Sequence, residues 1–184
     1  MKKEKFNTKQ FRIDALNWLK DNGWADISDK IEVILFANGL ENIPYKPEIL
    51  VEKDGLKFFM LPFQKDDWTH SNTLDKDLTG FDSYKYSFLK GLQGKTGIQV
   101  GVLMWAKNKG ERFIFIQLDA LGNPTYWFGQ KGGCLVHKRD YYKCWQEHPE
   151  VVRSYFKNLK RRRELALWDV QLFIDKVAIQ VKLL

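Results

Sequence analysis

The chain has 184 residues, 44% hydrophobic and 15% aromatic, and a formal charge of +7 from 30 basic and 23 acidic side chains. That composition excludes a disordered chain and supplies a core for one domain, and no apolar run approaches the roughly 20 residues that span a bilayer. The charge excess suits a polyanionic partner such as nucleic acid. Cys134 and Cys144 are too few for a disulfide framework. The basic start MKKEKFNTKQ leads into no apolar segment, so the expectation is a cytoplasmic protein with no membrane association.

Along the chain, Asn7 to Gln10 reads as a capping box, and Phe11, Ala15, Leu16 and Leu19 follow at helical spacing up to Gly23. Residues 28–38 fit either a buried strand or a short helix. Residues 48–53 and 56–64 are rich in β-branched, aromatic and aliphatic side chains, and Asp54-Gly55 between them is a strong hairpin signal. The polar stretch 66–80 predicts an irregular surface loop, with His70 exposed in it. A helix follows from Asp82, with Tyr84, Phe88, Leu89 and Leu92 on one face, ended by Gly94 and Gly97. Residues 98–105 and 112–118 read as strands, and 125–128 as a short edge strand. Beyond the glycine-rich stretch 129–133, residues 139–147 and 149–168 read as helices, and 177–183 alternates as a terminal half-buried strand would.

The order helix, hairpin, helix, strand, strand resembles the core of the PD-(D/E)XK nuclease superfamily from residue 43 to about 118. Pro47-Glu48 opens the first hairpin strand, and Gln64-Lys65 closes the second. The resemblance implies an α/β fold: a restriction-endonuclease-like core, a central mixed sheet flanked by helices, with a C-terminal helical extension. It implies a single domain over 1–184, with the core at about 7–128 and the extension at about 134–184.

It further implies Mg²⁺-dependent phosphodiester hydrolysis, in which carboxylates hold the ion and a lysine stabilises developing charge. Glu48 stands where the family places its first carboxylate. The second belongs two residues before the lysine. In the register that keeps Lys65 that position is Phe63; slipping toward the turn gives Leu61-Pro62-Phe63 or Met60-Leu61-Pro62 and loses the lysine too. Pro62 argues for a bulge or an edge position. Three readings follow. A rebuilt site would use Glu48, Gln64 and Asp66 (or Asp67) as ligands and Lys65 near the phosphate, with help from Asp82 or Lys85. A retired nuclease would keep only binding. An accidental likeness would leave Glu48 and Lys65 as ordinary surface residues.

Two other groupings carry chemistry. Cys134, His137, Cys144 and His148 are the right ligand types for Zn²⁺, but their spacing matches no common finger. The plainer reading is a buried cysteine, a capping histidine and two surface residues. Lys157, Lys160, Arg161, Arg162 and Arg163 form the densest basic run and read as phosphate contacts. Lys131, Lys138, Arg139 and Lys143 extend it, interleaved with Tyr141, Tyr142 and Trp145, which are more often core than stacking platforms. The functional expectation is nucleic-acid binding, DNA favoured, on a nuclease-like scaffold with a rearranged or lost active site. The alternative is a non-catalytic protein-interaction or assembly module, with a homodimer or a protein partner.

Overall fold

A computed structural model describes residues 8–43, 45–65, 69–71, 74–106, 114–130, 135–150 and 162–171. Helix α1 (Thr8–Asp21) buries Phe11, Ala15 and Leu19, one stripe at four-residue spacing. The turn after it closes with Trp24 N–H donating to Leu19 at 3.0 Å, while Gly23 takes φ 81°. Asn7, the expected cap, lies outside the described residues. The two-residue strand β1 (Ala25–Asp26) and a 3-10 turn lead into α2 (Ile31–Ala37). The ambiguous segment is therefore helical. Ile31 and Leu35 point inward one turn apart, and Val33 and Phe36 point out.

The hairpin forms as its sequence demands. Strands β2 (Ile49–Lys53) and β3 (Leu56–Lys65) pair antiparallel, closed by Lys53 opposite Leu56. Asp54 and Gly55 both take positive φ, 51° and 78°, the combination a two-residue turn of matching twist requires. Helix α3 (Ser83–Thr96) buries Tyr86, Leu89 and Leu92, runs through Gly94 and ends at Gly97 in the left-handed region. Tyr84, expected on the apolar face, is exposed, and Tyr86 takes that place. It delivers β6 (Gln99–Ala106) parallel to β3, and β7 (Ile114–Gln117) returns antiparallel. The first sheet has the order β1-β2-β3-β6-β7. This is the expected central mixed sheet flanked by helices.

A second, antiparallel sheet was not expected. It contains β4 (Thr69–Ser71), β5 (Lys76–Asp82), β8 (Thr125–Gln130), β9 (Leu135–His137) and β10 (Arg162–Asp169), in the order β4-β5-β10-β8-β9. Three expectations are corrected by it. The stretch 66–80 is not an irregular loop where described, because β4 and the start of β5 lie in it. The segment beginning at Thr125 is not an edge strand, because β8 pairs with both β10 and β9. Residues 162–168 are not helical: Ala166 and Trp168 face one side and Leu165 and Leu167 the other, the two-residue period of a strand. Of the expected helical extension, α4 (Lys138–Glu147) is helical, while β9 and β10 join the second sheet. The strand expected over 177–183 lies outside the described residues.

One core cluster draws on both sheets and α3, with Leu50, Phe59 and Val102 from the first sheet, Phe81 and Trp168 from the second, and Leu89 from the helix. The opposite face of the first sheet packs Ile49, Val51, Phe58 and Met60 against α1. Consecutive residues of β2 and β3 are thus buried on alternate faces, as in a sheet covered on both sides. Between β5 and β10 the backbones come close at Gly80, where an added Cβ would lie 2.0 Å from the Ala166 carbonyl oxygen. Among the described residues no helix is long and apolar enough to cross a membrane.

Candidate nucleic-acid interface

The register of the hairpin decides what faces Glu48. Ile49 pairs with Met60 and Leu50 with Phe59, so one step further along the same ladder sets Glu48 opposite Leu61. That is where a partner carboxylate would have to stand, and Leu61 is 5% exposed and belongs to the main core. No bulge alters the count. The β3–β6 ladder runs unbroken from Phe58 opposite Gln99 to Lys65 opposite Ala106, with Pro62 opposite Leu103. Of the two expectations for Pro62, the edge position is the one found among the described residues, because it lies beyond the last β2 pair, where no described strand neighbours β3 on that side.

Gln64 and Lys65 follow Leu61 by three and four residues on β3. At about 3.3 Å per residue their backbones sit about 10 and 13 Å past the point opposite Glu48. The strand does not bring them level with Glu48. Asp66 and Asp67 lie outside the described residues. Asp82 ends β5 opposite Leu165 in the second sheet, and its side chain makes no capping bond to α3.

Around Glu48 the structure gathers different residues. Its carboxylate, on a side chain 61% exposed, lies 3.4 Å from Nη1 of Arg12, and Nη2 of the same guanidinium donates to the Glu48 carbonyl oxygen at 2.7 Å. Tyr45 packs edge-on to Phe88 at 5.7 Å, and Lys85 sets its ammonium 5.5 Å from the Tyr45 ring centre, within cation–π range. Burial first, then the charge of Glu48 and the neighbouring Tyr84 phenol, push the Tyr45 hydroxyl above its ordinary value. Tyr84 is 60% exposed. Two small groups thus lie at the entry to β2: Arg12 of α1 on Glu48, and Tyr45, three residues before Glu48 in the chain, with Lys85 over its ring. Tyr84 adjoins Lys85 in the first turn of α3.

This donor set does not fit Mg²⁺, which takes a near-octahedral shell of oxygens. Among the described residues a guanidinium sits against the one carboxylate at this place, Glu48, and the buried Leu61 is set opposite it. Among the described residues no three of His, Cys, Asp and Glu come together as a metal-holding group. The four residues weighed for Zn²⁺ are also set apart where described. His137 caps α4, its Nδ1 accepting from the Arg139 N–H at 3.2 Å, while His148 lies past the other end beside Glu150 at 3.8 Å. A helix of that length separates them by about 16 Å, so they cannot share an ion. Cys144 is half-buried against the Phe128–Tyr141 cluster, and Cys134 is outside the described residues.

The basic residues are also distributed differently from a continuous helical face. Lys157, Lys160 and Arg161 are outside the described residues. Arg162 and Arg163 open β10, opposite Gln130 and Gly129, and Arg163 is exposed. Lys138 is engaged by Glu164 at 3.1 Å and lies over the Tyr126 ring. Arg139, Tyr142 and Lys143 are exposed at helical spacing on α4, whereas Tyr141 is core. His70 sits on β4 opposite Asp77 rather than in a loop.

Three of these residues, Arg12, Tyr45 and Tyr84, had no signal as site residues in the sequence. Arg12 meets Glu48 across 36 positions, a separation no local pattern encodes. Tyr45 stands two residues before Pro47 in the loop that enters the hairpin, and Tyr84 reads as part of the apolar face of its helix.

No protein-family model and no curated protein matches the chain. Among solved structures it is similar to Hjc, a Holliday junction resolvase from the archaeal hyperthermophile Archaeoglobus fulgidus, with a TM-score of 0.42 and 12% identity over 62% of this chain and 79% of that one.

Proposed function

We propose that this chain is a nucleic-acid-binding protein on a nuclease-like scaffold, with DNA the favoured ligand, and that it binds without metal-dependent cleavage. The observation that carries the reading is the hairpin register. The reading is supported by β6 running parallel to β3 after the α3 crossover and by the buried Leu61 lying one step past the last β2–β3 pair, opposite Glu48. A scaffold that keeps its surface cations and loses its ion ligands retains affinity for phosphates and loses the means to polarise them. The basic run Lys157, Lys160, Arg161, Arg162 and Arg163 supplies further phosphate contacts in this reading. The chain acts as a single domain, supported by the core cluster common to both sheets.

The test is binding of labelled single- and double-stranded DNA across a salt series, with Mg²⁺ and with EDTA, beside a cleavage assay. Affinity that survives EDTA and falls linearly in log–log against salt, with no cleavage, is expected. Mg²⁺-dependent cleavage lost in both Glu48→Ala and Lys65→Ala would replace this reading with a rebuilt site that uses Glu48, Gln64, Lys65 and Asp66. A second reading has its own observation: Val33 and Phe36, 70% and 74% exposed, form an apolar pair on the outer face of α2. It would make the chain a protein-interaction module, and absence of any salt-dependent DNA binding would favour it.

A further inference from the structure

Glu48 holds the position of the nuclease pattern's first carboxylate, and the group facing it is a cation carried by the chain itself. Arg12 reaches it from α1 with two separate contacts. One is a short bond to the Glu48 backbone oxygen, which ties α1 to the entry of β2; the other is a longer, exposed pairing with the carboxylate. The first is structural. The second is weak by its exposure and its single oxygen–nitrogen approach, so the guanidinium retains donors for another anion. A planar guanidinium is suited to the paired oxygens of a phosphate. Lys85, with its ammonium over the Tyr45 ring, adds a second positive charge, and Tyr84, the preceding residue of α3, is exposed.

We propose that Arg12 is a phosphate-binding residue that supplies from within the chain the positive charge a divalent ion would bring, with Lys85 beside it and Glu48 as the competing anion. The inference rests on the nucleic-acid reading above and adds to it the place and the sign of the contact. A phosphate approaching Arg12 displaces the Glu48 carboxylate, and the base next to it stacks on Tyr84. Glu48 therefore opposes binding. In a metal-dependent site the same residue would favour it, so the two arrangements predict opposite effects of one substitution.

The experiment is fluorescence anisotropy of a labelled single-stranded oligonucleotide and its duplex with the full chain, in EDTA and in Mg²⁺. Glu48→Gln is expected to tighten binding about 3- to 10-fold, because it removes the competing charge and keeps the carbonyl that anchors Arg12. Arg12→Ala is expected to weaken binding about 10-fold and to lower the salt slope by about one phosphate contact, with Lys85→Ala weaker in the same direction. Lys76→Ala, a surface lysine of the second sheet held by Asp169, is the comparison and changes nothing beyond its own unit of charge. Thermal unfolding of each variant checks the fold; if Arg12→Ala unfolds, Glu48→Gln and Lys85→Ala carry the test. Unchanged or weaker binding by folded Glu48→Gln, with wild type binding well, overturns the role of Arg12 and leaves the nucleic-acid reading standing. No binding by wild type at low salt overturns both.

Discussion

Truncating Leu61 tests whether the second carboxylate's position has become core. Leu61→Ala removes three carbons from a side chain that is 5% exposed and lies beside Val102 on the neighbouring strand. At about 0.8 kcal/mol per buried carbon the transfer loss is about 2.4 kcal/mol. The cavity left in a sheet packed on both faces brings the total to about 3 kcal/mol, within the range of Leu→Ala changes in other cores. For a chain of this length that is a fall of about 6–12 °C in Tm. Urea unfolding followed by circular dichroism and tryptophan fluorescence gives the free energy directly, with an unchanged m-value as the sign that the native and unfolded states are otherwise as before. A loss below about 1 kcal/mol, the size expected of a surface position, would refute the reasoning. It would mean that Leu61 lies at the rim and that the position can accept a carboxylate. Leu61→Asp, which would restore the pattern, is expected to cost more than Leu61→Ala, because an unpaired charge enters the same core.

Three further outcomes are expected. Gly80→Ala drives a methyl group into the Ala166 carbonyl oxygen and separates β5 from β10; a loss of about 1–3 kcal/mol or more in urea unfolding is expected, and a change within 0.5 kcal/mol would show that the backbones are not this close. Trp168→Phe removes the indole N–H that donates to the Gly122 carbonyl oxygen at 3.2 Å. Gly122 is exposed, so water can take the donor's place, and a cost of about 0.5–1.5 kcal/mol by the same assay is expected; a stabilising result would count against the bond. Hydrogen bonding from Lys90 holds the Asp119 carboxyl below its usual value, with burial opposing and Gln93 assisting. Its stabilisation is therefore full above about pH 4 and is lost as pH falls through the lowered value. Because both side chains are well exposed, Asp119→Asn should cost under about 1 kcal/mol at neutral pH, and the difference from wild type should close in acid; a gap that widens in acid would refute the assignment.

The features read correctly from sequence are those whose physics is local. Asp54-Gly55 specifies its turn because few other pairs take two positive φ angles, and α3 stops at Gly97 with Leu89 and Leu92 inward, although its stripe begins at Tyr86 and not at Tyr84. The second sheet escaped notice for two reasons. In β5, Leu78, Thr79, Gly80 and Phe81 are all buried, so no polar–apolar alternation marks the strand, and its threonine and glycine look like loop residues. Thr79 is accommodated by a contact from its hydroxyl to the Met104 sulfur at 3.5 Å, a partner on the other sheet. In β10, Glu164, Leu165, Ala166 and Leu167 are good helix formers, and only pairing with β5 and β8 on either side overrides that preference. The candidate site was half legible. Glu48 and Lys85 were visible, while Arg12 joins them through a contact that exists only once α1 has packed on the sheet.

The central place of β10 in the second sheet also bears on how the protein is made. Every described strand of the first sheet lies between residues 25 and 117, so these strands can pair while the remainder of the chain is still being translated. The second sheet cannot, because β5 and β8 have nothing between them until residues 162–169 emerge from the ribosome. A chain that stalls or is cut before that point presents two unpaired strand edges at once, each a template for another nascent chain. Premature termination in this region is thus expected to yield insoluble material, not a smaller working protein.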